Sequence, residues 1–170
     1  MKITRRKLIN FSTLSAVSLL GSGAIASLCG LETPAQPEGP FYPENNQADK
    51  DNDLVHVKGR SQAAQGEQII INGQVTDQDC QPVEGALVEI WQACFSGRYN
   101  HSEDTNSADL DPNFQYWGQA ITDKNGNYDF LTIKPGHYPA SKNWTRPAHI
   151  HYKVHKRGFR ELTTQLYFNG

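Results

Sequence analysis

Only three cysteines occur in 170 residues. None has C-x-x-C spacing, which excludes thiolate zinc ribbons and dithiol redox motifs. Long apolar runs are equally scarce. Mean hydropathy is low and nine prolines are scattered along the chain, so the body of the protein does not span a membrane. An excess of basic charge is also missing. Sixteen Lys and Arg face eighteen Asp and Glu, and four of those bases (Lys2, Arg5, Arg6 and Lys7) crowd the amino terminus. The remainder carries twelve bases against eighteen acids, a balance that disfavours nucleic acid and anionic membrane surfaces as partners. There is no internal repeat and no amphipathic helical periodicity.

What is present begins with a segment distinct from the rest. Residues 1–26 have a basic start, a modestly apolar run rich in Gly, Ser and Ala, and Ala24-Ile25-Ala26 at the end. That is the pattern of a signal peptide with an A-x-A cleavage site, and Thr4-Arg5-Arg6 gives it twin-arginine character. The expectation is export to the periplasm or the outside. A membrane anchor is the alternative, disfavoured by the short, interrupted apolar run. Lipidation at Cys29 is disfavoured too, because Leu28 stands where a small residue is expected. Cys80 and Cys94 flank an apparent strand that would hold them roughly 30 Å apart, so they are expected as two separate buried or capped thiols.

Residues 27–66, rich in Pro, Gly, Asn, Gln and Asp, show no sustained periodicity and read as an extended N-terminal arm. Residues 67–170 read as an all-β domain. "EQIIINGQVTD" is a strand and "QDCQPVEG" a turn. "ALVEIWQA" is a strand in which Leu87, Glu89 and Trp91 alternate with Val88, Ile90 and Gln92. "GQAITDKNGNYDFLTI" reads as two strands joined by a type I′ hairpin turn at Asn125-Gly126. Asp123, Asn125 and Asp129 lack the loop length and terminal Glu of an EF-hand. With strands at 148–154 and "LTTQLYF", at least six strands predict an antiparallel β-sandwich.

Inside "NWTRPAHIHYKV", His149 and His151 stand two apart in a strand and therefore on one face. Two adjacent imidazoles each need a donor and an acceptor partner, and a shared metal satisfies both. The alternative is an exposed pair on a solvated face. Further ligands are not cysteines, since none is near. Tyrosines are nearby: Tyr138 in "KPGHYP" and Tyr99 in "GRYNH". A Tyr₂His₂ set would select Fe(III), whose charge lowers the phenol pKa. Spacing alone does not separate Tyr99 from Tyr116 or Tyr128, and each tyrosine could simply pack.

"EGPFYP", "GQVTDQDCQPVEGALVEIWQACFSGRYNH", "LDPNFQYWGQAITDKNGNYDFLTIKPGHYP" and "RPAHIHYKVHKRGFRELTTQLYFNG" together resemble the intradiol ring-cleaving dioxygenases, of the protocatechuate 3,4-dioxygenase β-subunit type. The resemblance runs from about residue 38 to the end. It implies a mononuclear non-haem Fe(III) held by Tyr99, Tyr138, His149 and His151, with Tyr138 and His151 axial and Tyr138 the ligand that yields to substrate. It places Arg146 at the substrate, Gln165 just outside the ring of metal ligands, and Trp91 packed near the metal. The implied activity is cleavage of a catechol between its hydroxylated carbons with O₂, giving a cis,cis-muconate-type product. Relative to the family, the loop between Tyr138 and His149 is short and the chain stops early at Gly170. The rival reading is a non-catalytic secreted β-sandwich binding module. Assembly into a homo-oligomer, and the identity of the catechol, stay open.

Overall fold

The computed structural model describes residues 32–168 apart from Ala48 and Lys142. The expected signal peptide and Cys29 lie outside the described residues. Eight strands follow in chain order: β1 (Gln68–Gln74), β2 (Leu87–Trp91), β3 (Trp117–Ile121), β4 (Asn127–Ile133), β5 (Tyr138–Ser141), β6 (Trp144–Arg146), β7 (His149–His155) and β8 (Leu162–Tyr167). They form a four-stranded sheet in the order β3-β2-β7-β8, a pair β1-β4, and a short pair β5-β6. Every ladder between them is antiparallel.

The two-residue period of β2 and β7 divides their side chains between two faces. On the inner face, Val88, Ile90, Ile150 and Tyr152 pack against Phe130 and Ile133 of β4 in the main core. Buried Gln92 ties the layers together: its Nε2 donates to the Ile133 carbonyl (3.0 Å) and its Oε1 accepts from Thr132 Oγ1 (2.9 Å). The outer face carries Glu89, Trp91, His149 and His151, all buried as well.

What buries the outer face is the Pro-rich stretch. Residues 34–47 and 49–51 cross it from one sheet edge to the other. Gln36 N–H donates to the Thr163 carbonyl on β8 (2.9 Å), and Gln165 Nε2 donates to the Pro37 carbonyl (2.8 Å). Glu38 pairs with Lys153 of β7, and the Tyr42 ring stands edge-on to Trp91 of β2 at 5.0 Å. At the far edge, Gln119 N–H of β3 donates to the Lys50 carbonyl (2.9 Å). The chain then turns inward: Leu54 and Val55 are 0% exposed and sit in the main core beside Ala64. A parallel bridge from Asp53 to Leu131 seats this run along β4.

Two expectations are corrected. Asn125-Gly126 does not close a hairpin, because β3 and β4 belong to different sheets. Only Gly126 has positive φ (75°) at this turn, whereas a type I′ turn needs it at both central residues. The Asp123 carboxylate accepts the amides of Asn125 and Asn127 at 2.8 Å each, and this Asx-type turn carries the chain from one layer to the other. Nor are there two thiols: Cys94 is a buried free cysteine, but Cys80 is disulfide-bonded.

Candidate metal centre

Register brings the outer-face residues into rows. Trp91 of β2 and Gln165 of β8 both stand opposite His151 of β7, and Tyr167 stands opposite His149. Tyr138 opens β5 and faces Arg146 across the β5-β6 ladder. Arg146 is extended in β6, as a residue preceding Pro147 should be. Tyr99 comes from the long β2-β3 loop, where its backbone N–H donates to Asp104 Oδ2 (2.6 Å). Gly97 makes that placement possible. It has φ +83°, and a Cβ there would collide with the His137 carbonyl, so only glycine lets the loop of "GRY" lie against "KPGHYP".

The four ring residues converge. Tyr99 Oη lies 3.2 Å from His149 Nε2, which lies 3.2 Å from His151 Nε2. The Tyr138 ring is 5.8 Å from that of Tyr99 and 5.9 Å from that of His149, centroid to centroid. Trp91 stacks on His151 at 4.8 Å and 11°. Arg146 Nε donates to His149 Nε2 (3.1 Å) and its Nη2 to Gln165 Oε1 (2.6 Å).

Hydrogen bonding fixes one tautomer. His149 Nδ1 is 2.7 Å from the Pro147 carbonyl, which can only accept, so Nδ1 carries the proton and Nε2 the lone pair. His151 Nδ1 is buried without a partner among the described residues. Burial, reinforced by His149 and Arg146, pushes the His151 pKa down to about 3. His149 is lowered as well, chiefly by burial. Burial raises both phenols, Tyr99 most, against the opposing pull of the Arg146 charge. The result is a set of two neutral imidazoles and two phenols, buried except for the half-buried Tyr138, in which the phenols do not ionise unaided.

Such a set fits a highly charged cation. It would draw on the Nε2 lone pairs of His149 and His151 and supply the charge that phenol ionisation requires. Among the described residues no group of three or more His, Cys, Asp and Glu could hold a metal ion, so tyrosines are needed to complete a site here.

The structure also separates the tyrosines that spacing could not. Tyr116 accepts the Asp111 amide (2.7 Å) and Tyr128 packs on the main core beside Phe130 and Tyr152. Tyr99 joins the cluster. Gln165 and Trp91 reach it too, through Arg146 and His151 respectively. The sequence reading gave no role to Glu38, Gly39, Phe41, Tyr42 and Lys153. Phe41 lies 4.5 Å from the Tyr99 ring, and a Cβ on Gly39 would meet His151 Cε1 at 3.3 Å. "EGPFYP" was the available signal, but nothing in its spacing says that it crosses a sheet face.

Comparison with known proteins identifies the family to which the chain is similar. A family model described as Dioxygenase matches residues 37–170. The protocatechuate 3,4-dioxygenase beta chain of Burkholderia cepacia is 42% identical over 134 residues, covering 77% of this chain and 57% of that protein. Catechol 1,2-dioxygenase of Acinetobacter baylyi is 33% identical over 155 residues, covering 81% and 47%. Among solved structures, 3-chlorocatechol 1,2-dioxygenase from Rhodococcus opacus 1CP superposes with a TM-score of 0.64 at 29% identity, covering 85% of this chain and 62% of that one. The chain spans about half the length of the curated relatives it matches.

Proposed function

Since the chain belongs to the intradiol ring-cleavage dioxygenase family, we propose that it is itself a non-haem Fe(III) enzyme acting on a catechol, with Tyr99, Tyr138, His149 and His151 as the metal ligands. The reaction consumes one catechol and one O₂. The bond between the two hydroxylated carbons breaks and each carbon gains one oxygen atom, giving a cis,cis-muconate-type diacid. The observation that carries this reading is the convergence of Tyr99 Oη, His149 Nε2 and His151 Nε2 within 3.2 Å steps. Ferric iron bound there supplies Lewis acidity toward the two catechol oxygens and makes the ring reactive toward O₂.

The residues do the rest. The Pro147 carbonyl holds His149 in the tautomer that presents Nε2. Trp91 stacks on His151 and keeps its ring in place. Tyr138, as a phenolate, is the base for one of the two protons that a catechol gives up. Burial raises its affinity for that proton, so proton uptake there is favourable. Arg146, held through Gln165, fixes a positive charge beside the cluster where the ring becomes electron-rich. Such stabilisation of developing charge is worth about 3 kcal/mol per donor.

The test is to load the purified protein with iron and follow visible absorbance and O₂ uptake with catechol, protocatechuate, hydroxyquinol and chlorocatechols. A red to burgundy protein that places both atoms of ¹⁸O₂ in the product supports the reading. A folded, iron-supplied protein that stays colourless and takes up no O₂ is the binding module instead. A companion proposal, carried by Thr4-Arg5-Arg6 and Ala24-Ile25-Ala26, is export by the twin-arginine route. Fractionation of expressing cells, with Arg5 and Arg6 replaced by Lys as the control, decides it.

A further inference from the structure

The outer sheet face holds a second polar cluster, one row beyond the candidate ligands. Glu89 is 6% exposed and stands opposite Lys153 in the β2-β7 register, as Trp91 stands opposite His151. Its Oε1 accepts from Trp117 Nε1 (3.2 Å) and Gln119 Nε2 (2.9 Å), and the Tyr42 hydroxyl sits over both carboxylate oxygens at 3.4 and 3.5 Å. Lys153 does not turn to Glu89. Its ammonium pairs with Glu38 and lies 3.9 Å from the centroid of the Tyr42 ring. One lysine therefore grips the crossing segment at two points four residues apart.

Between those points lie Gly39, where an added Cβ would press on His151, and Phe41, against Tyr99 and 6.3 Å from Tyr138. The Tyr42 ring backs Trp91, which backs His151. The geometry points to Lys153 as a latch: by holding Glu38 and Tyr42 it clamps residues 38–44 over the ring cluster, and with Glu89 it is a positioning residue for His151 and Tyr99. An exposed ion pair would be worth little. This one sets a largely buried lysine, its side chain 15% exposed, between the Tyr42 ring and a Glu38 that is 42% exposed, so the cation–π contact adds to the charge pair.

Lys153→Met keeps the apolar stem and removes the charge, Lys153→Arg keeps both, and Glu38→Gln weakens the latch from the other side. Hydrogen exchange on the metal-free protein needs no assumption about iron. The amides of Gln36, which donates to the Thr163 carbonyl, and of Gln119, which donates to the Lys50 and Asp51 carbonyls, tie the two ends of the crossing segment to the sheet. They should exchange roughly tenfold faster in the Met and Gln variants and return to within about twofold in the Arg variant, with β1 and β4 unchanged. His155→Gln, which breaks the exposed pair with Glu161 on the same strand, should change nothing in that segment. The second measurement rests on the iron reading: release of ferric iron to a chelator should accelerate roughly tenfold in Lys153→Met and recover in Lys153→Arg, with iron content on purification unaltered. Unchanged exchange, or acceleration that Arg does not reverse, overturns the latch. Faster exchange with unaltered iron release overturns the positioning role. Protein that never holds iron sinks the metal site while leaving the exchange result to judge the latch.

Discussion

The two faces of the four-stranded sheet are both buried, yet they are built to opposite rules. The inner face sets Val88, Ile90 and Ile150 against Phe130, where shape and apolar area dominate and buried Gln92 adds polar ties to β4. The outer face sets His149, His151, Trp91 and Glu89 under a Pro-rich segment and is knit by hydrogen bonds to Glu89, Arg146 and His149, with Trp91 Nε1 and His151 Nδ1 left without a partner among the described residues. The inner face loses stability when it is cut. The outer face should lose chemistry first, because its buried charges and lone pairs are arranged around a point that the fold does not need.

Replacing His149 or His151 by Ala breaks the comparison most sharply. Two phenols and one imidazole should not retain ferric iron, so iron content should fall to a small fraction of one equivalent and turnover by roughly 10³-fold or more, with thermal stability of the metal-free protein little reduced. Metal analysis beside a thermal melt reads both. Tyr138→Phe is the sharper cut within the same site, keeping iron while shifting the visible band and slowing turnover.

Arg146→Leu comes next. It removes charge from the outer face and leaves all four candidate ligands, so iron and catechol should still bind while kcat falls roughly 10²-fold. Single-turnover decay of the preformed catechol complex under O₂ is the measurement, and an unaltered decay would remove Arg146 from the mechanism.

On the inner face, Leu54→Ala should cost about 2–5 kcal/mol in chemical denaturation, with the iron-to-protein ratio unchanged in what remains folded. An effect below about 1 kcal/mol would mean that residues 53–55 only lean on the core.

The most gradual effect is a pH dependence. Burial holds the folded-state pKa of His151 at about 3 and lowers that of His149, below the value of an unfolded histidine. Unfolding therefore takes up protons as pH falls. Stability of the metal-free protein from these groups is complete above about pH 6.5 and is lost progressively toward pH 3. Thermal melts of metal-free parent and His151→Ala between those limits should differ in slope. Parallel curves would mean that His151 titrates freely.

How much of this could be read from the chain follows from the range over which each feature is determined. The histidine pair is legible because a strand's two-residue period is local, and the extended backbone of Arg146 because Pro147 follows it, whereas its place at the substrate rests on the family resemblance alone. The pairing of Tyr99 with Tyr138 depends on Gly97 meeting His137 across a loop, a contact between residues forty apart that no local pattern encodes. The Asn125-Gly126 turn misled because the dipeptide specifies a tight reversal and not which sheet receives the next strand. Glu89 alternates like a solvent-facing residue. Only the segment crossing above it makes it buried, and that segment's prolines conceal its role by suppressing periodicity.

The same segment has a consequence for solubility. An open sheet in the order β3-β2-β7-β8 has two edges, each a template on which another chain could add a strand. Here the β8 edge is taken by Gln36 N–H on the Thr163 carbonyl and Thr164 Oγ1 on the Pro34 carbonyl, and the β3 edge by the Lys50 and Asp51 carbonyls that receive Gln119 N–H. Pro34 and Pro37 have no N–H to pass the ladder onward. The stretch that covers the chemistry therefore also closes the sheet against edge-to-edge growth, and loosening it at either rim would be felt first as aggregation, before any loss of fold.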